Sequence, residues 1–123
     1  MADRVNISQG NVEGVDKKSY HGKDYVAFMG IPFAEAGRFQ LPQPAKGWEG
    51  VFKANKKVEC MQRDTLFGGK VKGKEDGGLV LNVFATKEVL AKPDSPVPVM
   101  VWIHGGAFGI GSGTTGHKHY SVI

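Results

Sequence analysis

Apolar positions at Val5, Ile7, Val12 and Val15 flank a turn at Gln9-Gly10-Asn11, the pattern of a small hairpin. A third apolar run over residues 25–31 follows the His21-Gly22 turn, and the three segments predict a small antiparallel sheet. Pro32, Pro42 and Pro44 with Gly37 and Gly47 then impose an irregular extended path, along which Phe33, Phe39 and Trp48 are the expected anchors. Residues 51–74 are polar with weak periodicity and read as loop with one short helical turn. A strand is predicted over 79–84, a surface connection over 85–96, and a second strand over 97–103. That last segment is apolar on both faces, so it needs cover on both sides. No long amphipathic helix is present to supply it. The expectation is therefore that residues 1–123 form the front part of one larger domain whose C-terminal part lies elsewhere.

Composition changes this picture little. Glycine stands out, 18 of 123 residues, clustered at 68–69, 77–78 and 105–116, which marks constrained loops rather than a repeat. The formal charge of +4 comes mainly from scattered lysines without interleaved aromatic residues, and reads as a solvated surface rather than a nucleic-acid face. Cys60 is the single cysteine, and the Met-Ala-Asp-Arg-Val start lacks the apolar core of a signal peptide, so a cytoplasmic location is expected. No stretch approaches the length of a membrane span, and no membrane partner is expected.

The chemistry sits where residues 97–103 break into His104-Gly105-Gly106-Ala107-Phe108. A strand ending in glycines leaves backbone N–H groups uncovered, where a substrate oxygen that gains charge can reach them. A nucleophile is missing. None of Ser8, Ser19, Ser95, Ser112 or Ser121 lies in the Gly-x-Ser-x-Gly frame of a nucleophile elbow; Ser112 has Ile110 and Thr114 where the outer glycines belong. His104 reads as a loop-shaping residue. His117 and His119 lack a carboxylate or third ligand nearby, so no metal is expected. Residues 111–116 fit G-x-G-x-x-G and give an alternative reading as a small nucleotide-binding domain, although the motif starts well past the strand and no helix or ribose-binding acid follows.

Several segments in order carry a family resemblance over most of the chain. They are Gln9-Gly10 with Val12 and Gly14; Phe28-Met29-Gly30-Ile31-Pro32-Phe33-Ala34; Arg38-Phe39 with Pro42-Gln43-Pro44 and Trp48; Glu75-Asp76 with Leu81-Asn82-Val83; and Pro98-Val99-Met100-Val101-Trp102-Ile103-His104-Gly105-Gly106. The series resembles the N-terminal portion of the type-B carboxylesterases, the cholinesterase-like branch of the α/β-hydrolases, and is similar to intracellular insect esterases. The resemblance implies an α/β fold of which this chain holds a small antiparallel N-terminal sheet and the first strands of the central mixed sheet. It also implies a serine esterase that cleaves small-molecule carboxylic esters without a cofactor. In that family two oxyanion-hole donors map to the N–H groups of Gly106 and Ala107, with Gly105 shaping the turn. The third donor follows the nucleophile. The nucleophile, acid and base all lie downstream of the matched region, so the isolated chain is expected to be inactive. Arg38 and Glu75 match a family ion pair.

Departures from the family pattern are local. Gly77-Gly78 replaces a cysteine and adds about one residue, so Cys60 has lost the partner of a family disulfide. Roughly four residues are missing between Ala34 and Arg38. Ala107 stands where many members carry a third glycine, which is tolerable if its φ is negative. A non-catalytic esterase-like binding protein is the other alternative function.

Overall fold

The computed structural model describes residues 3–114, which form two three-stranded sheets, two small ribbons and one turn of helix. The first sheet begins with the hairpin of β1 (Arg4–Ile7) and β2 (Gly10–Glu13), in which Val5 faces Val12. Its two-residue turn is Ser8-Gln9, one position earlier than the sequence suggests. Gly10 has φ +139° and lies against Trp48, whose backbone N–H donates to Gln9 O at 2.9 Å and whose indole N–H donates to Asn11 O at 2.8 Å. A side chain at position 10 would displace that indole, so glycine is what lets Trp48 close over the hairpin.

Strand β3 (Val15–Lys18) starts just past the hairpin and pairs with β4 (Asp24–Pro32) instead of extending the first sheet. Gly14 marks the change of sheet, because a Cβ there would overlap Val26 and Phe28. The expected single antiparallel sheet is therefore corrected to two. The chain turns away after Glu13, and the edge of β2 is taken in parallel by β7 (Val51–Lys53). β5 (Ala34–Glu35) and β6 (Gln43–Pro44) form a short ribbon between the two sheets' contributions to the chain.

β4 is the centre of the second sheet, flanked by β3 and by β10 (Val80–Thr86), both antiparallel. Its Val26, Ala27, Phe28 and Ile31 are buried. Val26, Phe28 and Ile31 join Val12 and Ala54 in one core, with Val5, Ile7, Trp48, Phe52 and Leu90 packed against it. Both sheets contribute, and their shared cluster holds them together. The Trp48 and Phe52 rings add a tilted contact with centroids 4.9 Å apart.

Two further expectations are corrected. Residues 51–74 hold no helical turn; they contain β7 and a hairpin of β8 (Gln62–Thr65) with β9 (Gly68–Lys72), closed by Leu66-Phe67. Alternation there is masked because the hairpin is largely exposed on both faces and needs no apolar stripe. Residues 97–103 form no strand, and Val99, Val101 and Ile103 are exposed. Their composition suits a strand, but a strand exists only through a ladder with a neighbour, and no sheet among the described residues includes them. The strand expected over 79–84 is present as β10. The surface connection after it opens with α1 (Lys87–Leu90), capped by Thr86, whose hydroxyl accepts the Val89 N–H. The regular structure of the described residues is thus mainly strand, in small sheets with one turn of helix.

Candidate functional site

The glycine run after residue 103 folds into a compact turn. The Gly106 carbonyl accepts the N–H groups of Gly109 and Ile110, both at 3.0 Å. Ala107 and Phe108 between them sit at φ +50° and +57°, so the turn winds left-handed. The negative φ on which an easy fit of Ala107 depended is not found; the residue carries the steric cost of the left-handed region, about 1 kcal/mol. Gly106, at φ +131°, would drive a Cβ into the Ile110 carbonyl, and Gly111, at φ +119°, would drive one into the Gly105 carbonyl and the His104 ring. Gly105 has open space where a Cβ would stand and does not share the positive φ. The geometry therefore asks for glycine at 106 and 111 rather than at 105.

Among the described residues, neither the Gly106 nor the Ala107 amide donates a hydrogen bond. Gly106 is half-buried and Ala107 exposed. Two adjacent donors are thus left open on a turn whose own carbonyl is doubly occupied. His104 Nδ1 lies 2.8 Å from the Gly105 carbonyl, a local contact that leaves the ring shaping this loop.

Two side-chain amides that the sequence reading did not single out hold the far end of the loop. Gln62, the first residue of β8, accepts the Gly111 N–H at 2.7 Å and donates to the Gly111 carbonyl at 2.8 Å. Its Nε2 also donates to Cys60 O at 3.1 Å. Asn82 accepts the Gly30 N–H at 2.8 Å and donates to the Gly113 carbonyl at 3.2 Å. The reason lies in the β4–β10 register. Leu81 faces Ile31 and Val83 faces Phe28, so Asn82 alone opposes Met29 and Gly30. Gly30, at φ +76°, is left without a ladder acceptor at this bulge, and the Asn82 carbonyl oxygen fills the role. One signal was present: Asn82 is the polar interruption in an apolar run from Leu79 to Phe84. Gln62 carried none.

The remaining candidates fall elsewhere. Ser112 is buried and engaged with Thr114, whose hydroxyl lies 2.7 Å from Ser112 Oγ and whose N–H donates to it at 3.0 Å. The first half of the G-x-G-x-x-G stretch is spoken for by Gln62 and Asn82, so its Gly111 N–H is not offered to a phosphate; Gly116, like His117 and His119, lies outside the described residues. Arg38 Nη1 stands 3.1 Å from Glu75 Oε1 with both side chains exposed, and the guanidinium also lies 5.1 Å from the Phe39 ring centroid. An exposed pair of this kind is worth well under about 1 kcal/mol. Cys60 Sγ donates to the Gly78 carbonyl at 3.3 Å. A concavity of 520 Å³ lined by Pro32, Phe52, Lys56 and Val58 shares no residue with the loop. Among the described residues no metal-ligating cluster occurs, and no helix is long and apolar enough to cross a membrane.

One charge cluster joins three residues distant in sequence. Lys87 Nζ lies 2.9 Å from Asp16 Oδ1 and 3.6 Å from Asp3 Oδ2. The hydrogen bond from Lys87 holds the Asp16 carboxyl below its ordinary value, and the same bond raises Lys87 above its own. This cluster joins α1 to the start of the chain and to β3.

Comparison with known proteins bears on the whole chain. The carboxylesterase family profile matches residues 2–123. Venom carboxylesterase-6 of Apis mellifera is 40% identical over 123 residues, covering 94% of this chain and 22% of that protein. Bile salt-activated lipase of Mus musculus is 46% identical over 112 residues, covering 89% and 18%. Esterase B1 of Culex pipiens is 38% identical over 121 residues, covering 94% and 21%. The chain spans about a fifth of the length of these relatives. With the ordered segments and the glycine turn in place, the match over nearly every residue settles kinship: the chain belongs to the carboxylesterase family and corresponds to its N-terminal portion.

Proposed function

We propose that residues 1–123 act as the N-terminal segment of an α/β-hydrolase-fold serine esterase that cleaves small carboxylic esters, and that they supply two donors of its oxyanion hole. The supporting observation is the pair of open amides at Gly106 and Ala107 on a left-handed turn closed by two hydrogen bonds to the Gly106 carbonyl. When a serine oxygen adds to an ester carbonyl, the carbonyl electrons move onto its oxygen. Fixed N–H donors stabilise that charge more than they stabilise the neutral ester, and each such donor is worth about 3 kcal/mol of barrier in hydrolases where one has been removed. The nucleophile, base and acid come from outside these residues. The expected setting is the cytoplasm, and the expected partners are the ester and the remaining part of the same domain.

A p-nitrophenyl acetate assay tests this. The 123-residue chain should give no turnover above buffer, and Ser112→Ala should leave that rate unchanged. The complete polypeptide carrying the segment should hydrolyse the ester and be blocked by a serine-directed phosphonate. Turnover by the short chain that disappears in Ser112→Ala would replace this reading, and an inert complete polypeptide would favour the binding-protein alternative.

A further inference from the structure

We propose that Gln62 is a positioning residue for the oxyanion donors, with Asn82 as a second tether, an inference that rests on the esterase reading above. A single side-chain amide occupies both backbone groups of Gly111, giving and receiving one hydrogen bond each as a neighbouring strand would. Gly111 follows Ile110, whose N–H closes on the Gly106 carbonyl. A short series of fixed contacts therefore runs from β8 through Gln62, Gly111 and Ile110 to the peptide unit between Gly106 and Ala107, which carries the Ala107 amide. The base of the series is itself secured. Gln62 donates to Cys60 O, the Met61 N–H donates to Lys74 O, and the Lys74 N–H donates to Glu59 O. On the far side, Asn82 ties Gly113 to the bulge at Gly30.

The need for such a tether follows from the loop itself. Ala107 and Phe108 are held in the left-handed region without glycine's freedom, and the Phe108 side chain is fully exposed. Local preference would relax this turn, so its shape depends on contacts outside it. Donor placement decides how well a developing oxyanion is met, and a displacement of about 1 Å costs on the order of a hundredfold in rate. The sheet framework thus reaches the catalytic loop through two amide side chains, rather than through the strand ladder.

The test uses the complete polypeptide carrying this segment, with Gln62→Glu, Gln62→Met and Asn82→Asp. Gln62→Glu keeps an acceptor for the Gly111 N–H but sets a carboxylate against the Gly111 carbonyl; Gln62→Met removes both bonds at similar length. Rates are normalised by active-site titration with a phosphonate, so that loss of folded enzyme does not enter. The expected result is a fall in kcat for p-nitrophenyl butyrate of about tenfold or more, with KM within about twofold, because the ground state makes little use of the hole. Affinity for a trifluoromethyl ketone, whose serine adduct places an oxyanion in the hole, should fall in parallel with kcat/KM. Asn82→Asp should show the same pattern more weakly. Unchanged kcat per titrated site in both Gln62 variants, or equal losses in ketone and substrate binding, would overturn the proposal. Failure of all three variants to fold would also overturn it, assigning the tethers to general structure. An unsubstituted polypeptide without esterase activity would instead refute the functional reading itself.

Discussion

Cys60 has lost a partner by the resemblance, and the structure shows where one can be restored. An ideal Cβ built on Gly78 lies 3.5 Å from Cys60 Cβ and 2.6 Å from its sulfur. The first distance falls within the range of natural disulfides, and Gly78 does not share the positive φ of Gly77. Gly78→Cys should therefore form a bridge to Cys60 on mild oxidation. The closed loop of about 19 residues removes about 3 kcal/mol of entropic stabilisation from the unfolded chain on the loop-closure relation. Against this, the weak thiol hydrogen bond to the residue 78 carbonyl is given up, a cost of at most about 1 kcal/mol. A net gain of about 2 kcal/mol should raise the urea midpoint by roughly 1–2 M for a chain of this size.

The assay compares oxidised and reduced Gly78→Cys by urea denaturation, with free thiols counted by a chromogenic disulfide reagent. Gly77→Cys is the control. Its Cβ would meet nothing within 4 Å, and its φ of +73° penalises any side chain. It should keep two titratable thiols and unfold earlier than the unsubstituted chain by about 1 kcal/mol. Two free thiols in oxidised Gly78→Cys would show that Cys60 and Gly78 do not face each other as described, and a bridged form no more stable than the reduced one would refute the loop-closure gain.

Other consequences are open to direct measurement. Gly106→Ala should destabilise the loop by about 2 kcal/mol through overlap with the Ile110 carbonyl, whereas Gly105→Ala should be nearly silent; amide exchange of residues 109–111 separates the two. Phe28→Ala, at a fully buried position in the shared core, should cost about 3–4 kcal/mol by urea denaturation. The Asp16 carboxyl is held below its usual 3.8 and Lys87 above its usual 10.5, so their pairing should contribute between those limits, fading as pH falls below 3.8 through the folded value of Asp16 and as it rises above 10.5 through that of Lys87. Accordingly, the stability difference between the chain and Asp16→Asn should shrink below pH 4 and in high salt. Val99→Lys with Ile103→Lys should reduce concentration-dependent association in sedimentation, because both side chains stand more than four-fifths exposed in an apolar stretch.

The sequence made most of the strand-forming regions legible where one face met a core, and left them obscure where neither did. Val12, Val26, Phe28 and Ile31 sit in segments whose apolar pattern marks the hairpin, β4 and the core between the sheets. The Gln62–Thr65 and Gly68–Lys72 strands escaped because exposed pairing rests on backbone bonds and a two-residue turn, which leave almost no hydrophobic trace. Partner choice was also hidden: nothing in the run from Val5 to Val15 says that Gly14 shifts the chain into a second sheet, since that depends on Val26 and Phe28 crowding against it. Residues 97–103 show the opposite failure. Their pattern is a strand's, yet pairing is a property of two segments, and composition speaks for only one of them.

The same distinction separates what was readable at the site from what was not. Glycines at 105, 106 and 111 announced a loop with accessible amides, but its left-handed course through Ala107 and Phe108 contradicts local preference and could not be read from it. Such a turn needs outside support, and the support comes from Gln62 and Asn82, distant in sequence by 49 and 31 residues from the backbone groups they hold. Asn82 is there because a bulge in the β4–β10 pair leaves the Gly30 N–H without a ladder acceptor, and an amide side chain can satisfy it while its other end reaches the loop. The irregularity in the sheet and the strained turn are therefore two parts of one arrangement. Removing the bulge would free Asn82 from Gly30 and loosen Gly113 even though no residue of the loop had changed.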